Sequence, residues 1–128
     1  MALHYLDDLS FCMLEFLQLR PMFSSMKIET LKTMLTNGQD SLILRFGLGQ
    51  ALIKAKEFNE AIEHLLKALE FDAEYSAAFK LLGKAYAQTE QNELAIETYE
   101  KGIEIAERKG DIQAAKEMKV FLKRLNKD

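Results

Sequence analysis

Leu48-Gly49-Gln50-Ala51-Leu52 and Leu82-Gly83-Lys84-Ala85-Tyr86 stand 34 residues apart, and the residues after each stretch keep that interval. Ala61-Ile62-Glu63 is answered by Ala95-Ile96-Glu97, and Lys67 by Lys101. A period of this length is that of a repeated helical hairpin. One hairpin has too small an apolar face to bury alone, so copies stack into a solenoid that presents a surface. Apolar periodicity predicts a helix over about 42–55, a turn at 56–58 and a second helix over about 59–70. The second copy predicts helices over about 76–88 and 92–109, with Gly110 suited to the left-handed residue that ends a helix and Asp111 to the next N-cap. Gly49 and Gly83, with Ala61 and Ala95 opposite, let the two helices of each hairpin approach closely, and larger residues fill the space left open. All six glycines are expected to serve packing or helix caps.

The two copies resemble the tetratricopeptide repeat, whose pattern is W-x2-L-G-x2-Y, then A-x3-F, then P. The Leu-Gly pair is intact in both copies, while the Trp place holds Arg45 and then Phe79, and the Tyr place Leu52 and then Tyr86. Ala61 and Ala95 are followed four residues on by Leu65 and Tyr99, and then by Ala68 and Gly102. The closing Pro is replaced by Ala73 and Glu107, which leaves those helix ends less sharply punctuated. The resemblance implies an all-α, right-handed stack of antiparallel helical hairpins acting as a protein-interaction module or adaptor. It further implies that the first helices of successive repeats line a concave groove. Carried onto this chain, the groove residues are Ile43, Phe46, Gln50, Ile53 and Lys54 from the first copy and Ala77, Lys80, Lys84, Ala87 and Gln88 from the second.

Such a groove is apolar on one side and basic on the other, which suits a peptide or partner helix with apolar anchors and an acidic group or terminal carboxylate. Lys80 and Lys84, four apart on one helix, read as a solvated face or as an anion site, and Phe46 as buried under the N-terminal helix or open to a ligand. Some members of the family clamp acidic chaperone tails with Lys and Asn. Here Phe46, Gln50 and Leu81 occupy those places, which disfavours that partner. A chaperone of a secreted substrate and a self-associating structural protein are the alternative functions.

The flanks extend the stack. Residues 26–38 read as a half-repeat, with Ile28, Leu31, Met34 and Leu35 on one helix face and a stop at Asn37-Gly38. The full repeats span 42–75 and 76–109. Residues 111–126 read as a capping helix, with Ile112, Ala115, Met118, Phe121, Leu122 and Leu125 on the dry face and Lys116, Glu117, Lys123 and Arg124 opposite.

Residues 1–25 form a separate apolar segment, expected to be helical. Asp7, Asp8 and Glu15 break its apolar run, so it is not a membrane span. Three readings of it compete: the missing first helix of the half-repeat, a segment that lies in the groove or pairs two chains into a homodimer, and an extension upstream of a start near Met26.

The remaining features narrow the class. The chain has 128 residues, 48% of them apolar and 29% charged, the make-up of one soluble domain. A net charge of −3 argues against a nucleic-acid partner, which calls for a basic stripe. The lone Cys12 forms no internal disulfide, and no basic region followed by an apolar run and a cleavage site opens the chain, so a cytoplasmic location is expected. His4 and His64 have no second ligand at helix spacing, and no nucleophile-base arrangement or phosphate loop is present, so no metal, cofactor or enzymatic activity is expected. Glu93, Glu97, Glu100, Glu104 and Glu107 recur every three or four residues as one acidic stripe, read as a solvated outer face or as a docking site for a basic partner.

Overall fold

The computed structural model describes residues 27–127, and every described element is a helix. Residues 1–25 lie outside the described residues, and with them the three readings of the apolar segment. In chain order the elements are α1 (27–36), α2 (Leu42–Lys54), α3 (Phe58–Phe71), α4 (Ser76–Gln88), α5 (Asn92–Lys109) and α6 (Ile112–Asn126). The chain is thus the all-α stack of antiparallel hairpins expected from the repeat. The bounds of α4 and α5 coincide with those predicted, whereas α3 starts one residue earlier, at Phe58, and runs one residue further, to Phe71.

Four helix ends close in the same way. Gly38, Lys56, Glu90 and Gly110 all take positive φ, at 89°, 63°, 62° and 82°. In each case the following amide reaches back five residues: Gln39 to the Met34 carbonyl, Glu57 to Leu52, Gln91 to Tyr86 and Asp111 to Ala106, at 2.7–3.1 Å. This closure satisfies carbonyls that the helix itself leaves free. Glycine adopts the conformation freely at Gly38 and Gly110, but Lys56 and Glu90 hold it with a Cβ, at a cost of about 1–2 kcal/mol each. Those two sit 34 residues apart, so the strained turn is itself repeated. α3 ends otherwise. Asp72 is extended, and its carboxylate accepts the Glu74 amide at 3.0 Å, which turns the chain toward α4 where the family pattern has Pro.

Within each hairpin a glycine meets a bulky residue, as expected. A Cβ on Gly49 would fall 2.7 Å from Cγ of Leu65, and one on Gly83 would fall 2.7 Å from Cδ1 of Tyr99. Gly102 repeats the device toward α4 and α6: an added Cβ would lie 2.7 Å from the Phe79 Cβ and 2.6 Å from the Met118 sulfur. Gly47 departs from the expectation. It lies mid-helix, and among the described residues nothing comes within 4 Å of an added Cβ, so neither their packing nor a cap requires it.

The core has two centres. Leu48, Leu52, Leu65 and Leu82 anchor one, against which Leu31 and Leu35 of α1 pack, while Phe79, Tyr99, Ile105 and Met118 anchor the other. Leu69 and Tyr86 pack against both and make the core continuous. Where the Trp place of the first copy holds Arg45, the guanidinium is fully engaged. Its Nε and Nη2 donate to the two Asp40 oxygens at 2.8 and 3.0 Å, and its Nη1 lies 3.0 Å from Nδ1 of His64. Arginine offers no acceptor, so the buried His64 ring accepts at Nδ1 and carries its proton on Nε2.

The helices arrange in two rows. α2 touches α4 and α4 touches α6, whereas α3 and α5 have no Cα atoms within 8 Å of each other. First helices crowd together and second helices splay apart, so the surface of α2, α4 and α6 is the inner, concave one.

Candidate binding groove

Each groove residue of the first copy lies on α2, but they do not share one environment. Ile43 is 82% exposed, a β-branched side chain left to solvent on the inner row. Gln50 and Lys54 are exposed beyond it. Ile53 corrects the expectation: it is only 6% exposed and belongs to the core cluster with Leu48 and Leu82, so it supports the groove wall from behind. Phe46 is anticipated either beneath the N-terminal segment, which lies outside the described residues, or open to a ligand. It is half-buried, edge-on to Tyr75 with ring centroids 5.0 Å apart and an interplanar angle of 85°. That geometry is the favourable one for paired aromatics. Tyr75 immediately precedes α4, so the pair ties α2 to the start of α4.

On α4 the two lysines part ways. Lys80 donates to Oε2 of Glu117 on α6 at 2.7 Å, and Gln113 donates to the other oxygen at 3.1 Å. These two hydrogen bonds, Lys80 first, hold the Glu117 carboxyl below its ordinary pKa. Lys84, one turn further, is exposed, and no ion pair engages it among the described residues. Ala77 and Ala87 are half-buried small residues that keep the floor shallow, and Gln88 is exposed at the rim.

α6 completes the inner row with residues that the repeat spacing did not carry into the groove. Lys84, Ala87 and Gln88 face Phe121, Arg124 and Leu125 across a cleft of about 380 Å³. Tyr99 of α5 also lines it. Its ring is 2% exposed and lies 5.8 Å from that of Phe121, and burial pushes its phenol up to about 12. Tyr99 therefore stays neutral and acts as an apolar wall. The Arg124 guanidinium carbon lies 5.9 Å from the Phe121 centroid, within cation–π range. Phe121 and Leu125 had been legible only as part of the dry face of α6.

α6 is fixed in place at its start. Asp111 accepts the Ala114 amide and also the Ser76 hydroxyl, the latter at 2.7 Å, so one carboxylate caps α6 and ties it to the start of α4. On the opposite, outer face the five glutamates of the acidic stripe are all exposed, and Glu107 alone among them pairs with α6, through Lys119 at 2.5 Å. No helix among the described residues is long and apolar enough to cross a membrane.

Comparison with known proteins agrees with this geometry. Residues 49–90 match the family model described as TPR repeat, and residues 81–109 match the one described as tetratricopeptide repeat. A TPR repeat-containing protein of Pseudomonas aeruginosa is 44% identical over 102 residues, which are 80% of this chain and 97% of that protein. A Bordetella parapertussis protein whose structure was solved in solution is 40% identical, covers 78% of this chain and 87% of its own, and superposes with a TM-score of 0.71. The TPR2B domain of yeast Sti1 shares the fold at a TM-score of 0.72 over 88% of this chain and 95% of that one, with 18% identity. The chain belongs to the tetratricopeptide-repeat family, and it resembles a small bacterial member of it.

Proposed function

We propose that this chain is a protein-interaction module that holds a peptide or partner helix along the concave face of α2, α4 and α6. In this reading α1 is the second helix of an incomplete hairpin, α6 caps the stack, and the whole acts as a cytoplasmic adaptor. The observation that carries it is the inner row itself. Ile43 is 82% exposed there, beside the open polar side chains of Gln50 and Lys54, and on α4 Lys84 and Gln88 are also exposed. Ile43 is the most exposed large apolar side chain among the described residues, and an apolar anchor flanked by hydrogen-bonding groups fits an extended or helical peptide. Neighbours of this fold support the reading: the Sti1 domain was solved in complex with pHsp70, and the second TPR domain of human RPAP3 with an HSP70 peptide. Phe46 and Gln50 stand where chaperone-tail clamps have Lys and Asn, so a different peptide is expected here.

Selection of a displayed random-peptide library on the full chain tests this reading. Ile43→Asp, at an exposed site that leaves the fold intact, should weaken selected peptides at least about tenfold. Glu97→Gln with Glu104→Gln on the outer face should leave their binding unchanged. The opposite pattern would move the binding surface to the acidic stripe.

A further inference from the structure

We propose that Asn37 is a site of self-modification: attack by the Gly38 backbone nitrogen on its side-chain amide converts it to aspartate or isoaspartate, and the product loosens the end of α1 from the stack. This chemistry needs nothing from the groove.

Residue type singles out the position. Of the four asparagines, Asn59, Asn92 and Asn126 precede Glu60, Glu93 and Lys127, whose side chains crowd the approach of their own backbone nitrogens, and only Asn37 precedes a glycine. The other three also belong to α3, α5 and α6, where helical backbone holds the next nitrogen away from the side-chain amide. Asn37 and Gly38 lie just past α1 and are both exposed, and among the described residues nothing comes within 4 Å of a Cβ added to Gly38. In the reaction the Gly38 nitrogen forms a bond to Cγ of Asn37 while the Cγ–Nδ2 bond breaks, and Nδ2 leaves as ammonia with the proton of the Gly38 amide. Water then opens the cyclic imide at one of its two carbonyls, giving aspartate or, with the chain rerouted through the side chain, isoaspartate.

The folded cap holds the reaction back. The Gly38 N–H donates to the Leu35 carbonyl at 3.0 Å, so the attacking nitrogen keeps its proton, and the Asn37 and Gln39 N–H groups donate to the Thr33 and Met34 carbonyls at 3.0 and 3.1 Å. Attack therefore proceeds from an opened last turn of α1. Opening is easier here than in the other hairpins. Leu31 stands at the repeat place of Leu65 and Tyr99, which are 0% and 2% exposed, yet Leu31 is only half-buried, as is Leu35. A short helix held by half-buried contacts belongs to the low-stability end of a structure.

The product closes the cap less well. Isoaspartate lengthens the backbone by one methylene between residues 37 and 38, which takes the Gln39 N–H out of register with the Met34 carbonyl. Either product also places a carboxylate beside the negative end of α1. Asp40, three residues on, accepts from Nε and Nη2 of Arg45 at 2.8 and 3.0 Å, so a displaced connector loosens its tie to α2 as well.

The test holds the full chain in mildly alkaline buffer and maps its peptides over time by electron-based fragmentation, which separates isoaspartate from aspartate. Conversion should be confined to Asn37, with Asn59, Asn92 and Asn126 intact. Leu31→Ala, which loosens α1 far from the reacting atoms, should speed conversion about tenfold, and the chain unfolded in denaturant should react faster still. Asn37→Gln, whose side chain is one methylene longer, should stay unmodified over the same period. In the converted protein the amides of residues 33–39 should exchange at least about threefold faster, with α4, α5 and α6 unchanged. No conversion in the folded chain, or equal rates in the parent and Leu31→Ala, would overturn the gated site. Conversion that leaves exchange at the end of α1 unaltered would overturn the loosening of the stack.

Discussion

Gly47 and Gly49 lie two residues apart on α2, yet one added methyl should act on them in opposite directions. At Gly49 the new Cβ would run into the fully buried Leu65, and at Gly83 into the buried Tyr99 ring, neither of which has room to move. Gly83→Ala should therefore cost about 1–3 kcal/mol. Gly47→Ala meets nothing among the described residues and removes the backbone entropy of a mid-helix glycine, so it should stabilise by about 0.5–1 kcal/mol. Denaturant melts of the two variants check both signs, and a destabilised Gly47→Ala would mean that another segment packs on that face of α2.

His64 makes stability depend on pH. Burial first, and then the Arg45 guanidinium, hold its pKa below the ordinary 6.5, with Lys32 of α1 acting in the same direction and Glu60 and Glu63 of its own helix opposing. The unfolded chain takes up this proton near the ordinary value while the folded chain resists it. The contribution is thus complete above about pH 6.5 and is lost as pH falls through that value toward the lower folded pKa. His64→Gln should flatten the decline between about pH 7.5 and about pH 5 relative to the parent chain, read as melting temperature against pH. Parallel curves would show that the ring is not held neutral by its surroundings.

At the scale of elements, the turns inside the two hairpins hold left-handed backbone without glycine. Glu90→Gly, and likewise Lys56→Gly, should stabilise by about 0.5–1 kcal/mol, because relief of the Cβ clash exceeds the added entropy of the unfolded chain. No gain in melting temperature for either variant would count against the positive φ at that turn. These turns also mark where sequence reading stops. The bounds of α4 and α5 were legible because apolar periodicity spans each helix and Gly110 announces its own cap. Lys56 and Glu90 carry no such signal, since neither residue type favours the conformation that the hairpin imposes on it. Arg45 was legible only as an odd occupant of an aromatic place. Its partners Asp40 and His64 have no counterparts at 34 residues' distance, where the repeat has Glu74 and Thr98, so no periodic argument could find them. Ile53 was assigned to the groove by repeat position and lies in the core because the α2 side chains facing α3 and α4 include it. Phe121, Arg124 and Leu125 escaped the assignment for the converse reason: α6 lies outside the two matched copies, and the cleft exists only once α6 has docked on α4 through Lys80, Glu117, Ser76 and Asp111.

For the molecule as a whole, the crowding of α2, α4 and α6 and the separation of α3 from α5 define an inside and an outside. The outside carries the acidic stripe, whose exposed glutamates contribute little: Glu97→Gln with Glu104→Gln should change stability by no more than about 0.5 kcal/mol. The inside carries the open line from Ile43 to the cleft at Arg124. Binding there should slow amide exchange along that line, because a docked peptide both excludes water and suppresses local opening. The most direct measurement is residue-resolved hydrogen exchange of the full chain with and without a saturating library-selected peptide. Added protection concentrated on α2, α4 and α6, with α3 and the acidic face of α5 unchanged, is the expected result. Added protection on α3 and α5 alone would contradict the groove as the site of recognition.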